Sequence, residues 1–168
     1  MEDCKFICKI SHDICELLLN YLDKITITLN KNKMGRAQSF GEHRSITLGI
    51  VKSRRTRRYG LSRLTHKFPE LFKLLTDISM QYFPEYEFNA IHVNKNVVCP
   101  PHIDKNNIGP SIIFSIGNYQ GCDLNCGGVS FNTHEHALLF KGNKSLHYNT
   151  PLLSGTKYSF VFFMVLPV

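Results

Sequence analysis

No stretch of this 168-residue chain is apolar for long enough to cross a membrane. The apolar run at its end, residues 160–168, falls well short of the roughly 20 residues a spanning helix needs and reads as a buried strand. The opening residues lack the apolar core of a secretory leader, so the expectation is an intracellular protein, cytoplasmic or nuclear and not secreted, with no membrane partner. No two of the six cysteines, at 4, 8, 15, 99, 122 and 126, have the two-residue spacing of common zinc knuckles. They are expected to be free, partly buried thiols of a reducing compartment, with a structural zinc site as the lesser alternative. Acid is scarce beside base, 13 Asp and Glu against 20 Lys and Arg. The net charge of +7 suits an acidic partner such as nucleic acid, although many basic proteins bind none.

What is present is the composition of a globular protein, 43% hydrophobic and 20% charged, in a length suited to one domain spanning 1–168. Ser11 is placed to cap a helix whose apolar stripe is Ile14, Leu17, Leu18, Tyr21 and Leu22. Residues 25–29 alternate as a strand and 30–33 form a turn. The glycine-bounded loop 35–41, with Arg36, Gln38 and Ser39, is either a substrate loop or a surface turn. The run 52–59 holds Arg54, Arg55, Arg57 and Arg58 among Ser, Thr and Tyr hydroxyls, and Arg63, His66 and Lys67 continue it. Guanidinium forks grip phosphates bidentately, so this is the composition expected at a nucleic-acid backbone; a solvated loop or a protein-binding patch has the same look. Pro69 opens a second helix with Leu71, Leu74, Leu75, Ile78 and Phe83 inward, and Pro84 stops it.

Residues 88–94 form a strand placing Ala90, His92 and Asn94 on one face and Ile91 and Val93 on the other. Past residue 104 come short strands at 111–116, 121–126, 137–140, 145–148 and 156–166, punctuated by Gly117-Asn118, Gly127-Gly128 and Gly142-Asn143. Such a succession implies an antiparallel sandwich or barrel, in which distant strands become neighbours.

The chemistry concentrates at Pro100-Pro101-His102-Ile103-Asp104 and, much later, His147. In extended backbone alternate side chains point the same way, so His102 and Asp104 present an imidazole and a carboxylate to one point. A second imidazole from His147 would complete a two-histidine, one-carboxylate set that leaves the opposite face of a metal open. A His-X-Asp triplet alone also occurs as a hydrogen-bonded surface pair; the stiff Pro-Pro approach and the basic residue after the distal histidine favour the metal. Lys157 and Ser159, two apart in an apolar strand, would offer a cation and a donor to an anion, unless Lys157 sits at an exposed strand start.

His102-Ile103-Asp104, His147 and Gly155-Thr156-Lys157-Tyr158-Ser159 resemble the Fe(II)/2-oxoglutarate-dependent dioxygenases. The resemblance implies a mainly β fold with supporting N-terminal helices, the double-stranded β-helix or jelly roll. Residues 88–168 would be the catalytic core, with 1–87 as helical and strand support carrying the basic loop. It implies Fe(II) on His102, Asp104 and His147. It also implies 2-oxoglutarate held by Lys157, ten residues beyond the distal histidine, by Ser159 and within reach of Asn94, with O2 consumed, succinate and CO2 released and a C–H bond hydroxylated. Asn94, Asn106, Asn107 and Tyr148 are the polar neighbours expected to orient the ligands.

The stretch 94–107 and the Ser-Ile-Gly-Asn-Tyr-Gln-Gly turn are most similar to the TET/JBP group, which oxidises the methyl of a nucleic-acid base. That likeness implies DNA or RNA as partner, with Arg36, Ser39, Arg54, Arg55, Arg57, Arg58, Asn106 and Asn107 as substrate contacts. Lys157 stands where Arg is common, and Cys122 where a second Gly is usual. Some prolyl hydroxylases also carry Lys there, which keeps a peptidyl hydroxylase acting on a protein as the alternative. A non-catalytic jelly-roll module that binds nucleic acid is the remaining one.

Overall fold

The computed structural model describes residues 3–25 and 44–166. Its elements in chain order are β1 (Cys4–Lys9), α1 (His12–Lys24), β2 (Arg44–Lys52), β3 (Tyr59–Leu61), α2 (Arg63–Lys67), α3 (Pro69–Tyr82), β4 (Ala90–Lys95), β5 (Ser111–Ile116), β6 (Tyr119–Gly121), β7 (Leu124–Cys126), β8 (Val129–Phe131), β9 (His136–Phe140), β10 (His147–Asn149), β11 (Leu152–Gly155) and β12 (Tyr158–Phe163). The strand expected over 25–29, apart from Ile25, lies outside the described residues, as do the 30–33 turn and the 35–41 loop with Arg36 and Ser39.

One seven-stranded antiparallel sheet, ordered β1-β9-β5-β12-β4-β2-β3, faces a smaller layer made of β10-β7-β8 and the β11-β6 pair. This is the antiparallel sandwich expected from the succession of short strands, in the jelly-roll form that the resemblance implied. The period of two divides the large sheet's side chains cleanly. Ile46 and Leu48 of β2, Ile91 and Val93 of β4, Ile112, Phe114 and Ile116 of β5, and Tyr158, Phe160 and Phe162 of β12 form one buried cluster with Leu18 and Leu22 of α1 and Leu71, Leu75 and Ile78 of α3. The helices therefore cover the outer face. Phe114, Phe160 and Phe162 are wholly buried there, and truncating any one to Ala would cost about 3–5 kcal/mol. The inner face, toward the small layer, holds a lesser cluster of Cys4, Ile113, Leu124, Cys126, Leu138 and Phe140.

The structure corrects several expected boundaries. The strand expected at 121–126 is two strands, because Cys122 adopts a left-handed backbone (φ 56°) and the chain changes partners there: β6 pairs with β11, whereas β7 pairs with β10. The strand expected at 156–166 is confined to β12, with β11 ahead of it. β1, β2, β3, β8, β11 and the one-turn α2 were not expected; all but the nine-residue β2 are short, and the burial of β1 and β3 is too slight to leave an apolar alternation. All six cysteines are free thiols. No helix among the described residues is long and apolar enough to cross a membrane.

Candidate metal centre

The segment after Pro100-Pro101 joins no regular strand; it is held against β10 by a reciprocal pair of main-chain bonds. The His102 N–H donates to the His147 carbonyl and the His147 N–H to the His102 carbonyl, both at 3.0 Å. Two residues on, the Asp104 N–H donates to the Gly142 carbonyl at 2.8 Å. These bonds bring one ligand atom each from His102, Asp104 and His147 within 4.8 Å of one another. His147 Nε2 lies 3.2 Å from Asp104 Oδ2 and His102 Nε2 lies 3.5 Å from Oδ1. Ligand atoms about 2.1 Å from a metal and at right angles to each other stand roughly 3 Å apart, so the spacing suits one ion.

The protons are placed for the same purpose. His102 Nδ1 donates to the Pro100 carbonyl at 2.7 Å, and His147 Nδ1 to the Ser145 carbonyl at 2.9 Å. A carbonyl only accepts, so each neutral ring carries its hydrogen on Nδ1 and turns a bare Nε2 lone pair toward the carboxylate. Two lone pairs facing a carboxylate need a positive charge among them. Burial raises the Asp104 carboxyl pKa, but the His147 hydrogen bond and the charges of His147, His102 and His92 reverse that and leave it below the usual range. Burial lowers His147 while its bonds to Asp104 and Ser145 raise it further, and the net direction is up. Both shifts describe a proton shared between His147 and Asp104; the donor set of two imidazole nitrogens and a carboxylate is one that a divalent ion would fill in its place.

The orienting partners are thus main-chain carbonyls two residues before each histidine, where side chains of Asn94, Asn106, Asn107 and Tyr148 had been expected. Gly142, which the sequence marked only as a turn residue, also belongs to the site. A Cβ there would stand 2.7 Å from Phe140 Cε2, 3.1 Å from His147 Cε1 and 3.2 Å from Asp104 Oδ2, so the Phe140 ring would have to shift and two of the three ligands would be crowded. The Phe140 ring meets His147 edge-on at 5.3 Å and fixes its plane.

The triad opens on a cavity of about 500 Å³ whose walls include His92, Asn94, Asn106, Asn107, Tyr148 and Ser159. Across the inner face runs a polar rung, Ser45 of β2, Asn94 of β4, Ser159 of β12 and Ser115 of β5, each opposite the next. Ser45 Oγ donates to Asn94 Oδ1 at 2.8 Å, and Asn94 Nδ2 donates to Ser159 Oγ at 3.4 Å. The next rung holds Thr47, His92, Val161 and Ile113, with His92 stacked on Phe163 and tied to Thr47 Oγ1 through Nδ1 at 2.8 Å.

Lys157 precedes β12 on the inner-facing side and is 3% exposed, which removes the exposed-strand-start alternative. Its Nζ donates to the Cys122 carbonyl, lies 3.5 Å from Cys122 Sγ, and sits 5.4 Å from the centre of the Tyr119 ring. Among the described residues no carboxylate forms an ion pair with it. Burial lowers the pKa of this ammonium, with the dipoles and charges of Cys122, Asp123 and Cys99 opposing; burial likewise raises the Cys122 thiol against the pull of Lys157. A buried cation without a counter-anion, beside a rung of hydroxyl and amide groups, fits a carboxylate ligand.

The expected substrate residues are brought together only in part. Asn106 and Asn107 stand at the cavity, whereas Arg54, Arg55, Arg57 and Arg58 are exposed on the turn between β2 and β3. Along β2 the register runs from Ser45 opposite Asn94, through Thr47 opposite His92, to Gly49 opposite Ala90, and then past the sheet's end to Lys52 opposite Tyr59. The arginine hairpin therefore projects from the His92 and Ala90 end of β4, away from Lys157, and begins about 17 Å along the strand from the His92 rung.

No protein-family model matches the chain, and no curated protein matches it in sequence. Solved structures do match in fold. NgTET1 in complex with 5mC DNA superposes with a TM-score of 0.66 at 18% identity, covering 97% of this chain and 72% of that one. OsALKBH1 gives 0.62 at 13% identity, covering 98% and 97%. An oxidoreductase of the 2OG-Fe(II) oxygenase family from Burkholderia pseudomallei gives 0.58 at 16%, covering 86% and 77%. With a His-Asp-His triad lining the cavity on its inner sheet face, the chain has the fold of the Fe(II)/2-oxoglutarate oxygenases.

Proposed function

We propose that the protein is an Fe(II)- and 2-oxoglutarate-dependent dioxygenase that hydroxylates the methyl group of a nucleic-acid base, the whole chain acting as one catalytic domain. The observation that carries this reading is the pair of Nε2 lone pairs aimed with Asp104 at one point while both Nδ1 atoms are tied to carbonyls. His102, Asp104 and His147 would hold the iron, which when bound supplies the activation of O2 that is coupled to decarboxylation of the cosubstrate. Lys157 pairs with the far carboxylate of 2-oxoglutarate, and Ser159, steadied by Asn94, donates to it. The Pro100 and Ser145 carbonyls keep the rings in the ligating tautomer, and Phe140 and Val161 keep that side of the cavity apolar.

The base is favoured over a peptide by the basic hairpin that extends from the His92 and Ala90 end of β4, where phosphates flanking an extruded nucleotide would lie. NgTET1, whose fold this chain shares, was solved with 5mC DNA. The test is anaerobic loading with Fe(II) and 2-oxoglutarate, then succinate release on admitting air. Wild type should release succinate, and His102→Ala and Asp104→Ala should not. A screen of methylated DNA and RNA should then raise the rate. No succinate from wild type sinks the enzyme reading, and stimulation by a peptide but not by nucleic acid would move it to the peptidyl hydroxylases.

A further inference from the structure

Cys122 is an anomaly two residues before Leu124 of the cavity wall and in contact with Lys157, which is buried two residues before the wall residue Ser159. It is fully buried, yet it holds a left-handed backbone (φ 56°) that a residue with a Cβ adopts only at a cost. Glycine would take this turn freely, as Gly121 does next to it (φ 77°). The retained side chain must therefore do something, and its contacts are specific. Sγ lies 3.5 Å from Lys157 Nζ and 3.7 Å from the Val97 carbonyl, and the Cys122 carbonyl accepts from the same ammonium.

Position along the fold gives those contacts a meaning. Cys122, Leu124 and Cys126 are all buried, and each alternates with a half-exposed residue. Cys126 pairs directly with the metal ligand His147, Leu124 lines the cavity, and Cys122 reaches Lys157. This one segment thus runs from the metal ligand to the ammonium, the two points a bound 2-oxo dicarboxylate would have to connect. At the far end Nζ is held between the Cys122 thiol and carbonyl and the face of Tyr119. With the thiol removed and the carbonyl and ring still in place, the flexible lysine stem would let the ammonium shift into the space Sγ vacates, and an incoming carboxylate would meet it at a different distance from the metal ligands.

We infer that Cys122 is a specificity-determining residue: by fixing the reach of the Lys157 ammonium it sets the length of the 2-oxo dicarboxylate that the cavity accepts. The inference rests on the proposed cosubstrate role of Lys157 and acts through that residue, so Cys122 is a positioning residue and does not touch the reacting atoms. One methylene more or less in a fitted pocket changes relative binding by about 10- to 200-fold, which is the scale of effect to look for.

The experiment is anaerobic calorimetric titration of the Fe(II)-loaded protein with 2-oxoglutarate and with 2-oxoadipate, its homologue longer by one methylene. It needs no turnover. Wild type should prefer 2-oxoglutarate. Cys122→Gly, which suits the left-handed turn and should fold at least as well, should change the ratio of the two affinities by about tenfold or more. Cys122→Ser, which restores a polar atom at similar reach, should return the ratio to within about threefold of wild type, as a merely structural cysteine would not require. An unchanged ratio in Cys122→Gly, with 2-oxoglutarate binding that is lost in Lys157→Ala, overturns the inference and leaves the cosubstrate reading intact. Absence of 2-oxoglutarate binding in wild type overturns both.

Discussion

Replacing Lys157 by Met should make the ligand-free protein more stable and the ligand-bound protein less so. The side chain is 3% exposed, and its ammonium has one carbonyl, one thiol and one ring as company. Desolvating an ammonium costs several kcal/mol even after relaxation. The charge-assisted bond to the Cys122 carbonyl returns about 1.5–3 kcal/mol of that. Met matches the stem in length and removes the charge, but it leaves that carbonyl without this donor, at about 1–3 kcal/mol. The balance favours Met by about 1 kcal/mol, or roughly 2–4 °C in Tm for a chain of this size. The sign of the pH dependence follows from the lowered pKa of Lys157, with Cys122, Asp123, Cys99 and Tyr119 as the groups around it. The cost of charge is fully present below the folded-state value. It is relieved as pH rises from there toward the ordinary 10.5, so the advantage of the Met variant should narrow in alkali. In the Fe(II)-loaded protein, 2-oxoglutarate at 100 times its Kd should add about 2.7 kcal/mol to wild type, which then overtakes a variant that gains nothing from it. Thermal melts under argon, with and without 2-oxoglutarate, read both halves. A ligand-free Met variant destabilised by 1 kcal/mol or more, or one still stabilised by 2-oxoglutarate, would refute the reasoning.

Gly142→Ala should weaken metal binding by about 10- to 100-fold in a competition titration, because the new methyl collides with the buried Phe140 ring and crowds His147 and Asp104; unchanged affinity would mean that Phe140 yields without moving the histidine. Reversing Arg54, Arg55, Arg57 and Arg58 to Glu should abolish salt-sensitive retention on DNA. If each arginine neutralises one phosphate of a duplex, the slope of log K against log salt should flatten by about 3.6, and a slope unaltered by the change would remove the hairpin from the interface. His12 Nδ1 lies 2.7 Å from the largely buried Glu135 carboxylate, whose hydrogen bond and charge raise the imidazole above its ordinary 6.5. That pair stabilises the fold fully below 6.5 and fades as pH climbs through the raised value. The Tm gap between wild type and His12→Gln should therefore be wider at pH 6 than at pH 9, and a gap constant with pH would count against the pair.

The parts of the site that could be read from the sequence are those set by local geometry. The alternation that put His102 with Asp104, Lys157 with Ser159 and His92 with Asn94 is a property of extended backbone, and it survives in the fold because the inner and outer faces differ so sharply in what they bury. The tautomer of the two histidines is equally local, since each Nδ1 bonds a carbonyl two residues back in its own segment, yet a main-chain acceptor leaves no mark in residue types. What escaped the reading depends on pairings between distant segments. Gly142 looked like a turn glycine, and only the approach of Asp104, His147 and Phe140 gives its missing side chain a bearing on the triad. The split of the 121–126 segment was hidden for the same reason: its alternation of buried residues continues straight through Cys122, while the hydrogen-bond partner changes from β11 to β10. That change of partner turns a nominal strand residue into a buried corner against Lys157, where its side chain remains despite the backbone's preference for glycine. At that corner a strained backbone, a buried thiol and the buried ammonium of Lys157 meet, a contact made by tertiary pairing that no local pattern in the sequence records.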